Sequence, residues 1–211
     1  MSGFYRLIVT LLKCIIWIPF RVRYEGRENL PAPGGRHILV ANHIYMRDPV
    51  VIALGVPQQI FFMAKSEFFD KPLVAWFFRR VGAFPVSRGE GDMDSVAHAE
   101  ELVGKGKLLG VFPEGRRNGS GKLLRPKSGT AFIARATGAD VIPCAVLYGE
   151  KRLRQEITVR YGRPIPYAAL GFADDQPASL RRASKIIMEG ISALLPPEPS
   201  APEKSDEDPD C

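Results

Sequence analysis

The sequence predicts an α/β protein: a single domain with helices layered on a sheet, an extra apolar helix at its amino end and a polar tail at its carboxyl end. Three observations lead there. Between "RVRYEG" and about Gly162, short apolar runs alternate with longer stretches of helical periodicity, the pattern of α/β layers. A chain of 211 residues holds one substantial core and only marginally two. Its 45% hydrophobic and 25% charged residues are ordinary for a globular domain. The division expected is an amino-terminal helix over 1–20, the folded domain over 21–195 and a tail over 196–211.

The amino-terminal stretch "FYRLIVTLLKCIIWIPF" is nearly all apolar from Leu7 to Phe20. No small-x-small cleavage site follows, so removal as a leader is not expected. A membrane-spanning helix needs about 20 apolar residues, and this run is shorter and interrupted by Lys13. Arg6, Thr10, Lys13 and Trp17 recur at i, i+4, i+7 and i+11, one narrow stripe on an otherwise apolar helix. The expectation is a helix lying in a membrane surface, with Arg21 and Arg23 adding attraction to anionic lipid. A helix packed on the domain's own core is the alternative.

The strands expected next are 37–41, 59–63, 83–86, 108–112, 141–147 and 157–161. The helices between and after them are 48–54, 71–81, 93–103, 128–136 and 177–195. Helix 48–54 has a clear start signal, since Asp48 suits an N-cap and Pro49 a first helical position. The aromatic-rich segment "IFFMAKSEFFDKPLVAWFF" reads as ordinary core or as a surface for long hydrocarbon. The closing "PPEPSAPEKSDEDPDC" is acidic and proline-rich with little to bury, and is expected to be disordered.

Charge narrows the partners. The net formal charge is +6, but the tail holds six acids against Lys204 alone, leaving +11 on the body. So basic a body suits an anionic partner: nucleic acid, a lipid surface or a phosphorylated substrate. Nucleic acid is disfavoured, because no RNA-recognition or zinc-finger signature is present and the amino-terminal helix would be unexplained. Cys14, Cys144 and Cys211 are odd in number and widely spaced, so neither a disulfide framework nor a zinc site is expected, and a reducing compartment is.

Chemistry concentrates where apolar runs stop. "ILVANHIYMRDP" ends a strand at Asn42-His43 and places Asp48 five residues on. Five residues along a continuous helix is about 500°, so the two could not pair there. They pair if His43 sits at a strand end and the chain turns back. A carboxylate on one ring nitrogen then fixes the tautomer and leaves the other nitrogen free as a base. On these two residues alone, a buried structural histidine beside a capping aspartate fits as well.

A second strand ends at "VFPEGRR", followed by five cations, Arg116, Arg117, Lys122, Arg125 and Lys127. Glycine allows close backbone approach and arginine grips phosphate in two-pronged fashion; strand termini are where α/β proteins place ligands. A third strand, in "GAFPVSRGEG", ends at Arg88. "NGSGK" is not a phosphate-binding P-loop, because Arg116 stands where the first glycine is needed and Leu123 follows the lysine. No G-x-S-x-G elbow is present, so a serine hydrolase is unsupported.

Together, "NHIYMRD", "MAKSEFF" with "GAFPVSRG", "FPEGRR" and "VIPCAV" with its Pro143 resemble, in family order over about residues 20–165, the glycerophospholipid acyltransferases, most closely the bacterial lysophosphatidate (1-acylglycerol-3-phosphate) type. The resemblance implies a central mixed, mainly parallel sheet flanked by helices. It implies His43 as general base, Asp48 as its orienting partner, Arg88 and Arg117 as phosphate ligands, and Glu114 and Gly115 as shapers of the acceptor site, with Lys65 and Lys127 as further candidates. Arg116 departs from the family, which usually carries threonine there, and this leaves the acceptor headgroup open. The implied reaction moves an acyl chain from acyl-CoA or acyl carrier protein, as co-substrate, to the free hydroxyl of lysophosphatidate on the cytoplasmic face of the cell membrane, with no metal or bound cofactor. Rival acceptors are glycerol-3-phosphate, a lysophospholipid or a glycolipid precursor; a non-catalytic lipid-binding module is the rival from another class.

Overall fold

A computed structural model describes residues 3–87, 92–172 and 176–197. Seven strands of the described residues form one sheet: β1 (Phe20–Glu25), β2 (His37–Ala41), β3 (Ile60–Lys65), β4 (Ala83–Val86), β5 (Leu108–Val111), β6 (Asp140–Tyr148) and β7 (Gln155–Tyr161). Their order across the sheet is β1-β7-β6-β2-β5-β3-β4, parallel at every pairing except β6 with β7. This is the mixed, mainly parallel sheet expected. The carboxyl ends of β2 to β6 therefore line one edge, while β1 and β7 run the other way.

Among the described residues six α-helices pack with the sheet: α1 (Gly3–Trp17), α2 (Asp48–Gly55), α3 (Pro72–Arg80), α4 (Met93–Gly104), α5 (Gly129–Thr137) and α6 (Pro177–Ser192). Strand periodicity divides the core in two. Ile38, Val40, Leu109, Val111 and Val141 face the layer that contains Ala99, Ile133 and Ile187 of α4, α5 and α6. Leu39, Ala41, Leu108, Ile142 and Cys144 face the other way, toward Val51 and Ile52 of α2. The four apolar residues of β2 are almost fully buried, which explains the unbroken apolar run before Asn42.

Two elements differ from the expectation. β1 was not anticipated as a strand, yet it pairs with β7 over six positions. Its outward residues are charged, and two of them pair with β7: Arg23 with Glu156 at 2.8 Å and Glu25 with Arg160 at 2.7 Å. Charge on every second residue marks an edge strand with one wet face. Asp48, expected as an N-cap, instead opens α2 itself, and its carboxylate reaches back to the amides of Ile44 and Tyr45. Pro143 lies within β6, opposite Val40; β7 ends at Tyr161 opposite Cys144, so no β7 pairing depends on the missing N–H.

The apolar segments at the front also resolve. α1 buries Tyr5 and rests Ile16 on the core, while Leu7, Leu11, Ile15, Trp17 and Ile18 stay exposed. Among the described residues no helix is long and apolar enough to cross a membrane. The aromatic-rich segment divides: Ile60 and Phe62 are core, Phe68 and Phe78 stack on one another, and Trp76 is half-exposed against Phe4 of α1. The expected disordered tail lies outside the described residues from residue 198 onward.

Candidate active site

β2 carries His43 to the carboxyl edge because Asn42 holds that strand end in place. The Asn42 amide donates to the Val146 carbonyl at 3.0 Å and its oxygen accepts from the Val146 N–H at 2.8 Å, acting as one more rung of the β2–β6 ladder. The chain then turns, and α2 begins. Asp48, fully buried, accepts from His43 Nδ1 (2.9 Å), Ile44 N (2.6 Å) and Tyr45 N (2.8 Å) on Oδ2, and from the Tyr148 hydroxyl (2.5 Å) on Oδ1. All four contacts come from donors, so Asp48 acts here as an acceptor only. Nδ1 of His43 is therefore the protonated nitrogen, and Nε2 presents its lone pair. The ring stacks on Phe112 at 4.0 Å between centroids, and its side chain is 17% exposed, enough to meet a hydroxyl from outside.

The loop after β5 clamps His43 through its main chain. The buried Glu114 accepts the His43 N–H at 3.2 Å on one oxygen and the Leu124 N–H at 3.1 Å on the other, while the Asn118 N–H donates to the His43 carbonyl at 2.7 Å. Burial raises the Glu114 carboxyl above the usual glutamate range, against the opposing pull of the His43 and Leu124 amides. Glu114 thus braces the histidine rather than standing in solvent. Gly115 takes φ +68°, and a Cβ there would lie 2.9 Å from Lys127 Cε, so the aliphatic stem of Lys127 lies directly over this turn.

Arg116 and Arg117 are exposed beyond Gly115, on the same edge as His43, and neither is ion-paired with another described residue. Lys65 ends β3, two strands from β2, or about 10 Å across the edge at the usual strand spacing. Its ammonium is taken up by Glu67. Arg88 lies outside the described residues; β4, which leads to it, ends on this edge.

Three contributors were not foreseen. Tyr148, at the carboxyl end of β6, completes the Asp48 shell; burial, and then the Asp48 charge, push its hydroxyl well above the usual tyrosine range, so it stays a donor. Arg47 sits over the rings of Tyr45, Phe20 and Tyr148 at 4.2, 4.7 and 4.7 Å, holding Tyr148 from the far side. Phe112 supports the imidazole face. Tyr148 was open to the same strand-end reasoning that found Glu114. Cys144, the buried thiol nearby, is pushed up by burial and then by the Asp48 charge, so it is no nucleophile.

Residues 21–147 match the Acyltransferase family. The chain belongs to that family. A 1-acyl-sn-glycerol-3-phosphate acyltransferase of Bacillus subtilis is 31% identical over 142 residues, 67% of this chain and 70% of the relative. A lyso-ornithine lipid O-acyltransferase of Pseudomonas aeruginosa is 32% identical over 133 residues, 62% of this chain and 49% of that protein. The crystal structure of the 1-acyl-sn-glycerophosphate (LPA) acyltransferase of Thermotoga maritima superposes with a TM-score of 0.68 at 26% identity, covering 90% of this chain and 79% of that one. In this acyltransferase His43 and Asp48 are paired at 2.9 Å at the carboxyl edge of the sheet.

Proposed function

We propose that this acyltransferase moves a fatty acyl chain from a thioester, acyl-CoA or acyl carrier protein, to the free hydroxyl of lysophosphatidate, giving phosphatidate. The observation that carries the reading is the His43–Asp48 pair at 2.9 Å with Nε2 unencumbered, set on the same sheet edge as Arg117 and the Gly115 turn. Nε2 accepts the proton of the acceptor hydroxyl as its oxygen attacks the thioester carbonyl. The tetrahedral intermediate collapses with cleavage of the C–S bond, and the imidazolium returns its proton to the departing thiolate. Ester and free thiol result, and no covalent enzyme intermediate is needed.

Arg117, with Arg88 and Lys127, supplies the positive charge for the acceptor phosphate, and Glu114 keeps the arginine-bearing loop in register with His43 through the two backbone amides it accepts. α1 is read as lying in the cytoplasmic leaflet through its exposed apolar residues, which brings the site to an acceptor that never leaves the bilayer. The acceptor is tested by incubating the protein with oleoyl-CoA and lysophosphatidate in mixed micelles, beside glycerol-3-phosphate and other lysolipids. Phosphatidate formed by wild type and not by His43→Ala supports the assignment. Turnover of a different acceptor in preference would move it there and implicate Arg116.

A further inference from the structure

The polar stripe of α1, exposed at Arg6 and Thr10 and half-buried at Lys13, borders a groove on the domain. Arg6, Thr10 and Lys13 form one wall of this open groove of about 270 Å³, with Arg27, Leu54 and Pro57 on its other side. Three cations converge on this space, and among the described residues no acid lines it. None of the three is ion-paired with another described residue, whereas the arginines nearby on the sheet edge, Arg23 and Arg160, both are. Like charges gathered around a groove repel one another, and an anion placed between them relieves that repulsion.

The groove is remote from the acyl-transfer chemistry. β1 runs against β2, so Arg27, just past the end of β1, lies at the sheet edge opposite His43. Leu54 is in the last turn of α2, whose first residue is Asp48; eight residues of helix separate the ends by about 12 Å. A ligand here is not the acceptor being acylated.

The neighbouring surface identifies the ligand. Leu7, Leu11 and Ile15, at i, i+4 and i+8, are 57%, 50% and 60% exposed, and at about 100° per residue they lie between about a quarter and a half of a turn from Arg6 and Lys13. With that apolar face in the acyl region, the cationic flank stands at headgroup depth. We propose that this groove binds the phosphate of an anionic phospholipid of the bilayer, a second lipid site that holds the enzyme on the leaflet. It rests on the reading of α1 as a helix lying in the membrane surface.

The test is flotation of the full chain with vesicles of phosphatidylcholine alone or mixed equally with phosphatidylglycerol. Wild type is compared with Arg6→Gln/Lys13→Gln/Arg27→Gln and with an equal loss of charge on the far side, Arg181→Gln/Arg182→Gln/Lys185→Gln on α6. The groove variant is expected to lose on the order of 100-fold in affinity for the anionic vesicles, and to match wild type on phosphatidylcholine and in micellar kcat. The α6 variant stays within about threefold of wild type. Equal losses in the two variants would mean diffuse electrostatics and overturn the site while leaving α1 at the membrane. Wild type that floats with neither vesicle would overturn both. Inorganic phosphate that raises the melting temperature of wild type but not of the groove variant, more than chloride at equal ionic strength, with equal flotation of the two, would assign the groove to a soluble phosphate and overturn the lipid assignment.

Discussion

Asp48→Asn removes a charge and almost nothing else. An amide oxygen can take the place of Oδ2, facing His43 Nδ1, Ile44 N and Tyr45 N, while its NH2 group turns to a Tyr148 hydroxyl that can rotate to accept. The tautomer and ring orientation survive, so the loss falls on the positive charge that develops on the imidazole as it takes the proton. At 2.9 Å, a carboxylate attracts that charge by about 6 kcal/mol at an effective dielectric constant of about 20. The residual dipole of the asparagine oxygen recovers part of it, so a loss of about 3–6 kcal/mol, roughly 10² to 10⁴-fold in kcat, is expected. The assay is initial-rate acyl transfer to lysophosphatidate at saturating substrates, with thermal melts alongside. A variant within tenfold of wild type in kcat would refute this account and leave Asp48 as a brace for the turn before α2.

Tyr148→Phe should lower kcat by up to about tenfold with KM unchanged and cost about 1.5–3 kcal/mol of stability, the worth of a hydrogen bond to a charged group; steady-state kinetics and urea titration check both. Glu114→Gln leaves one of the His43 and Leu124 amides facing an NH2 group, which should cost about 1–3 kcal/mol. Because burial raises the Glu114 carboxyl, its stabilising contribution is full below the ordinary glutamate range and falls as pH rises through the raised value. The penalty of the glutamine variant should therefore shrink as pH rises above the ordinary glutamate range in urea unfolding. Gly115→Ala meets both a φ of +68° and the Lys127 stem, and should cost about 1–2 kcal/mol and raise the acceptor KM severalfold more than it lowers kcat.

The pairing of His43 with Asp48 was legible because its cues are local: an apolar run that stops, a histidine at the stop, and an Asp-Pro helix start five residues on. The alternation of apolar runs likewise gave the layers, and six of the seven strands were expected close to where they lie. β1 escaped because its outward charges look like a linker until β7 supplies their partners, some 135 residues away. Tyr148 and Asn42 stand at strand ends that the pattern marks, but their meeting at the site depends on β6 lying beside β2, and single-sequence pattern does not contain that order. Lys65 was grouped with the site by its motif, yet its neighbour Glu67 takes up its charge, a contact that follows from the short 3-10 turn over Ser66–Phe69.

The most direct test of the account is product formation by His43→Ala against wild type, with oleoyl-CoA and lysophosphatidate in mixed micelles and phosphatidate read by mass spectrometry. The account predicts that wild type makes phosphatidate and that the variant, still folded by its melting curve, falls by at least about 10³-fold, the upper part of the range for losing a general base. Phosphatidate made by the folded variant at close to the wild-type rate would contradict it.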